Sequence, residues 1–114
     1  IGLDGRTAAD GLAVSRPSQI AGKVMRTLLL GSVPFDDDDL YRYLPELWDT
    51  EHVMVEPSAA AGFTALAPMT AAFTQLASKQ ATHIVWATGG DMLPADERHR
   101  DYALGQRLLG KAAD

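Results

Sequence analysis

Between Gln19 and Leu30 the apolar residues Ile20, Val24 and Leu28 recur every four positions, with Gln19, Lys23 and Arg26 around them. That period predicts an amphipathic helix, opened by Pro17-Ser18 and stopped by Gly31. After a short extended stretch at 32–35, Leu40, Leu44, Leu47 and Trp48 predict a second helix behind four aspartates, interrupted or kinked at Pro45, whose missing amide cannot bond to Tyr41. Residues 52–56 and 82–88, built around the apolar runs Val53 to Val55 and Ile84 to Ala87, read as strands. Phe63, Leu66, Phe73 and Leu76 keep helical spacing across 58–77 despite Gly62 and Pro68, and a last helix is expected over 96–111. The opening residues 1–16 have no period and read as a loop with a short extended piece near Leu12-Ala13-Val14. Helices alternating with strands imply an α/β fold: an open, mostly parallel sheet with flanking helices, strands near 32–35, 52–56 and 83–88.

Composition narrows this picture only mildly. The 114 residues, 46% hydrophobic, suit a single domain, and no apolar run is long enough to cross a bilayer. A net charge of −5 with scattered Lys and Arg argues against nucleic acid as a partner. No cysteine is present, which excludes disulfides and thiolate metal sites. Ile1 in first place points to a processed product or an excerpt of a longer chain.

The sharpest chemical signal is His83-Ile84-Val85-Trp86-Ala87-Thr88-Gly89-Gly90, an apolar run ending in a hydroxyl and two residues without Cβ. A backbone turning at Gly89-Gly90 lets a flat ligand approach closely. Other polar groups have plainer readings. Asp36 to Asp39 form an N-cap and acidic first turn that favour the helix dipole, since a cation loop spaces its oxygens rather than stacking them in sequence. His52, His83 and His99 lack the short spacings of a metal pair. Glu56-Pro57-Ser58 reads as a helix start whose following amides could face an anion. Lys23, Lys79 and Lys111 sit on polar faces or ends, unlike a desolvated nucleophilic lysine.

The runs from Ile1 to Val14 (IGLDGRTAADGLAV), from Glu56 to Gly62 (EPSAAAG) and from Ala81 to Gly90 (ATHIVWATGG), in this order and spacing, resemble the C-terminal part of the bacterial D-serine dehydratase family. These are pyridoxal 5'-phosphate (PLP) dependent ammonia-lyases that convert D-serine to pyruvate and ammonia. The likeness runs through nearly the whole chain. Asp91 departs from it by standing where the family pattern has another glycine.

The resemblance implies a fold of type II among PLP enzymes (tryptophan synthase β-like), with residues 1–114 forming one C-terminal segment of the larger PLP-binding catalytic domain. It implies cofactor contacts at Thr88, Gly89, Gly90 and Gly11, with the Thr88 hydroxyl on the pyridine nitrogen and Asp10 anchoring its loop. A neutral hydroxyl there, in place of a carboxylate, leaves the ring a weaker electron sink, which suits elimination over transamination. The lysine that bonds the cofactor, the glycine-rich phosphate loop and the grip on the substrate carboxylate all lie upstream in the family. The chain by itself is therefore expected to lack catalytic residues and activity, not to hold PLP, and to need the missing N-terminal portion as partner. Uncovered apolar surface predicts self-association or partial disorder at 1–14. The setting implied is cytoplasmic, with D-serine as the small-molecule substrate, and without membrane or metal. Nothing in this segment reads stereochemistry, so a fold-type II lyase acting on threonine or L-serine stays open, as does a stand-alone small-ligand-binding α/β domain.

Overall fold

The computed structural model describes residues 5–90 and 92–110, so Ile1 to Asp4, Asp91 and Lys111 to Asp114 fall outside the described residues. Five α-helices follow a 3-10 turn at Asp10–Leu12: α1 (Gln19–Leu28), α2 (Asp37–Glu51), α3 (Pro57–Thr64), α4 (Leu66–Ala72) and α5 (Ala95–Leu108), with a second 3-10 turn at Thr74–Ala77. No strand occurs among the described residues. The expected open parallel sheet is thus corrected to a helical arrangement, and each of the three expected strands has a physical reason for failing. At 32–35, Pro34 offers no amide to a ladder. At 52–56, His52 takes left-handed backbone (φ 55°) and its amide caps α2 on Trp48, while the Val53 amide turns back to the Leu47 carbonyl at 3.4 Å. At 82–88 no regular element forms, and no neighbouring strand meets the segment among the described residues. β-Branched and aromatic residues supply only propensity, whereas a strand needs a paired backbone.

The helices follow the sequence more closely. Ser18 caps α1 by accepting hydrogen bonds from the Ile20 and Ala21 amides at 3.2 and 3.4 Å. The four aspartates do open α2, where Asp39 accepts from the Asp36 amide at 3.4 Å and pairs with Arg42 at 2.8 Å. Pro45 does not end that helix, which runs on to Glu51. The expected continuous helix over 58–77 is split instead. Pro68 cannot donate to the Thr64 carbonyl and its ring crowds that turn, so the chain breaks at Ala65 and restarts as α4.

The core is small and centred on α2. Leu44, Leu47, Val55, Ala59 and Ala60 are buried together, with Tyr41, Tyr43 and Phe63 packed on them. Burying these side chains is the main attraction between α2 and α3, at roughly 25 cal/mol per Å² of apolar surface. α5 crosses α2 at very close range. A Cβ on Gly105 would stand 2.1 Å from the Tyr41 carbonyl oxygen and 2.6 Å from Pro45 Cδ. The two residues are complementary: Pro45 leaves the Tyr41 carbonyl without its helical amide, and hydrogen-only Gly105 lets α5 settle against that freed oxygen. α1, in contrast, packs on no other helix among the described residues. The Cα radius of gyration is 15.7 Å, wider than the ~13 Å of a compact domain of this length.

Candidate functional site

Three separate stretches meet at the start of α3. Pro57 opens this helix with the fixed φ that its first turn wants, and buried Ala59 and Ala60 seat it on α2. The flanking polar residues are thereby pointed at their neighbours. On one side the Gly11 amide donates to Ser58 Oγ at 3.1 Å. On the other, the Glu56 carboxylate lies against Gly89, where a Cβ would come 2.7 Å from Cδ and 2.9 Å from either oxygen. Glu56-Pro57-Ser58 therefore bridges the Asp10–Leu12 turn and the end of the 82–90 segment. Of the residues expected to face a ligand, Gly11 and Gly89 share this bridge.

Gly89 and Gly90 both have positive φ, 78° and 121°. Gly90 is buried, and a Cβ there would overlap the Met54 carbonyl oxygen at 2.4 Å. Lack of Cβ at these positions is thus used by the protein's own backbone and by Glu56. Thr88, immediately before them, is exposed, and its hydroxyl makes no hydrogen bond among the described residues. Ile84 and Trp86, four and two residues earlier, are 88% and 86% exposed, while Val85 turns inward onto Gly62. A polar tip beside two uncovered apolar side chains has the composition of a binding wall.

The opening loop is held by Asp37 in the first turn of α2. Its carboxylate accepts from Thr7 Oγ1 at 2.5 Å and from the Ala8 amide at 2.6 Å, and Thr7 in turn accepts from the Ala9 amide at 3.1 Å. Asp37 anchors this loop, the role expected of Asp10. Charge-assisted hydrogen bonds of this kind are about twice as strong as neutral ones. The anion site considered at the start of α3 does not form, because the Ala59 and Ala60 amides are already spent on the Glu56 carbonyl at 3.0 and 3.2 Å.

The remaining candidates stay apart. His52 and His83 hydrogen-bond to the Trp48 and Leu76 carbonyls at 3.1 and 2.9 Å, and His99 borders a cleft of about 360 Å³ with Trp48, Arg98 and Tyr102. Among the described residues no three His, Asp or Glu side chains come together as a metal site. Lys23 and Lys79 are exposed. Two tyrosines are shifted: hydrogen bonding to Asp49 at 2.7 Å is the main cause raising Tyr102, and burial followed by nearby Asp101 raises Tyr41. Neither lies in the Gly11, Glu56 and Gly89 cluster. Sequence reasoning missed the contacts of Glu56 and Ser58 with the two glycines. Their only signal was the Glu-Pro-Ser motif itself, which says nothing about which distant segments will flank it.

No family model matches the chain. Curated proteins do. One named probable D-serine dehydratase from Lactiplantibacillus plantarum is 74% identical over 111 residues, which is 97% of this chain and 26% of that protein. Its namesake from Pediococcus pentosaceus is 51% identical over 94% of the chain and 25% of its own length. A third, from Bacillus cereus, is 44% identical over 95% of the chain and 26% of its own length. The chain spans about a quarter of the length of the curated relatives it matches. The likeness carried by the three sequence runs is therefore borne out as homology. Among the described residues, no helix is long and apolar enough to cross a membrane.

Proposed function

From a chain homologous along 97% of its length to the D-serine dehydratases, we propose that residues 5–110 form one wall of the cofactor site in a D-serine ammonia-lyase, a cytoplasmic enzyme releasing pyruvate and ammonia. The observation that carries this reading is the convergence of Gly11, Glu56-Pro57-Ser58 and Thr88-Gly89 at a single helix start. The relatives' printed name gives their reaction, and this convergence supports the reading that these residues serve it.

The residues present suit PLP at one end of the molecule. Thr88 carries a hydroxyl without a hydrogen-bond partner among the described residues, on a backbone fixed by the buried Gly90 against Met54. Bound PLP supplies the electron sink that makes loss of the substrate's α-proton and β-hydroxyl feasible. Thr88 would hold the ring nitrogen by donating its hydroxyl proton, which leaves that nitrogen unprotonated and moderates the sink. Glu56 and Ser58 position the wall: one carboxylate braces Gly89, one hydroxyl accepts from Gly11. Ile84 and Trp86 present apolar surface that excludes water from a neighbouring ring. No described lysine is buried as a cofactor-bonding lysine requires, so the chain alone is read as inactive, needing the remaining polypeptide.

The test is a full-length chimera in which this chain replaces the matched quarter of the 74%-identical relative. Pyruvate formed from D-serine, with the visible absorption of bound PLP, is the expected result. Thr88→Ala should weaken PLP retention by about 1–3 kcal/mol, the cost of an unpaired buried nitrogen. Thr88→Asp should protonate the ring and shift product from pyruvate toward racemised or transaminated amino acid. Wild-type retention and product ratio in both variants would reject Thr88 as a cofactor residue, and turnover of threonine or L-serine in preference to D-serine would reassign the substrate.

A further inference from the structure

An amphipathic helix that packs on no other helix among the described residues is an unusual thing for ten residues of chain to maintain. At 100° per residue, Ile20, Ala21, Val24, Met25 and Leu28 share one arc of α1, and Gln19, Lys23 and Arg26 share the opposite one. The apolar arc is nonetheless open: Ile20 is 77% exposed, Val24 49% and Leu28 72%. It continues through Leu29 and Leu30 into a groove of about 510 Å³ floored by Pro34, Pro68, Met69 and Phe73. Helices this short are marginal in water unless an apolar face is covered.

We propose that this face of α1, with the adjoining groove, is the seat for the polypeptide that makes up the other three-quarters of a D-serine dehydratase; the proposal rests on the reading that the chain is part of such an enzyme. The length of the relatives speaks for this occupant over a second copy of the chain. The relatives carry about three times as much polypeptide outside the matched segment as within it, ample to cover the face. The covering surface should accordingly be apolar.

Cysteine labelling tests this, since the chain has no cysteine of its own. Val24→Cys, Leu28→Cys and Lys23→Cys are made in the 114-residue chain and in the full-length chimera, and maleimide labelling of the peptide is followed by mass. In the chimera, positions 24 and 28 should label at least about tenfold more slowly than in the 114-residue chain, as covered sites do, while position 23 stays near its original rate. Equal rates at 23, 24 and 28 in the chimera would overturn the proposal. So would protection of 24 and 28 in the 114-residue chain that rises with its concentration, which would make a second copy the occupant. Pyruvate formation by the unsubstituted chimera is scored separately: pyruvate without protection rejects the seat and keeps the lyase, and protection without pyruvate does the reverse.

Discussion

Gly90→Ala isolates the contact that sets Thr88 in place. The perturbation has two parts. At φ 121° an L residue is strained, which costs about 1–3 kcal/mol. The new methyl would also lie 2.4 Å from the Met54 carbonyl oxygen and 3.1 Å from Val55 Cα. Those are backbone atoms joining α2 to α3, unable to rotate aside, so a further ~1–3 kcal/mol of overpacking follows. Together these amount to about 2–6 kcal/mol, against a total of about 5–15 kcal/mol for a typical domain. The chain can limit the loss by releasing the 82–90 segment from α3. Two readouts are therefore needed: the urea midpoint for global stability, and hydrogen exchange of the 84–90 amides for local release. Gly89→Ala is the control, because its methyl meets the Glu56 side chain, which can swing away, leaving mainly the left-handed backbone cost of ~1–2 kcal/mol. Unchanged midpoint and exchange in Gly90→Ala, or a larger effect from Gly89→Ala, would refute the argument that Met54 fixes this end of the segment.

Gly105→Ala should destabilise by about 1–3 kcal/mol through overlap with Tyr41 and Pro45, offset by the ~1 kcal/mol that Ala gains in helix propensity; a raised unfolding midpoint would show that α5 can simply shift. Asp37→Ala removes both side-chain bonds to the opening loop, and proteolysis within 5–14 should become faster, with about 1–3 kcal/mol lost; unaltered cleavage would mean the loop is held elsewhere. Tyr102 binds its proton more tightly when folded, chiefly because it donates to Asp49. That contribution is complete below the unfolded value of 10.0 and is lost as pH rises through the higher folded value, so stability should fall above pH 10 and Tyr102→Phe should reduce that fall.

How far the sequence could be read depended on whether each feature is decided locally. The Ser18 cap, the aspartate start of α2 and the Pro57 start of α3 involve neighbours within a few residues, and all are visible as motifs. The sheet was not legible, because Ile84-Val85-Trp86 has the composition of a strand whether or not another strand lies beside it. What covers α1 was not legible for the same reason: a period of four shows which face would be covered, not what covers it. At the candidate site, Thr88-Gly89-Gly90 and Gly11 stood out as residues. That Ser58 touches Gly11, 47 positions away in sequence, and Glu56 touches Gly89, emerges only once α3 has packed on α2.

The meeting of Pro45 with Gly105 also decides which pairing of α2 and α5 can exist. Sliding α5 by one turn, about 5.4 Å, would bring Asp101 or Leu109 to the Tyr41 carbonyl in place of Gly105. Leu109 is too large for the gap, and an Asp101 carboxylate would be set against a carbonyl oxygen, acceptor to acceptor. A slipped arrangement thus fails at its first contact, and α5 can close onto α2 in a single register. The chain recognises its own correct alignment at one point, by the absence of an amide on one helix and of a side chain on the other.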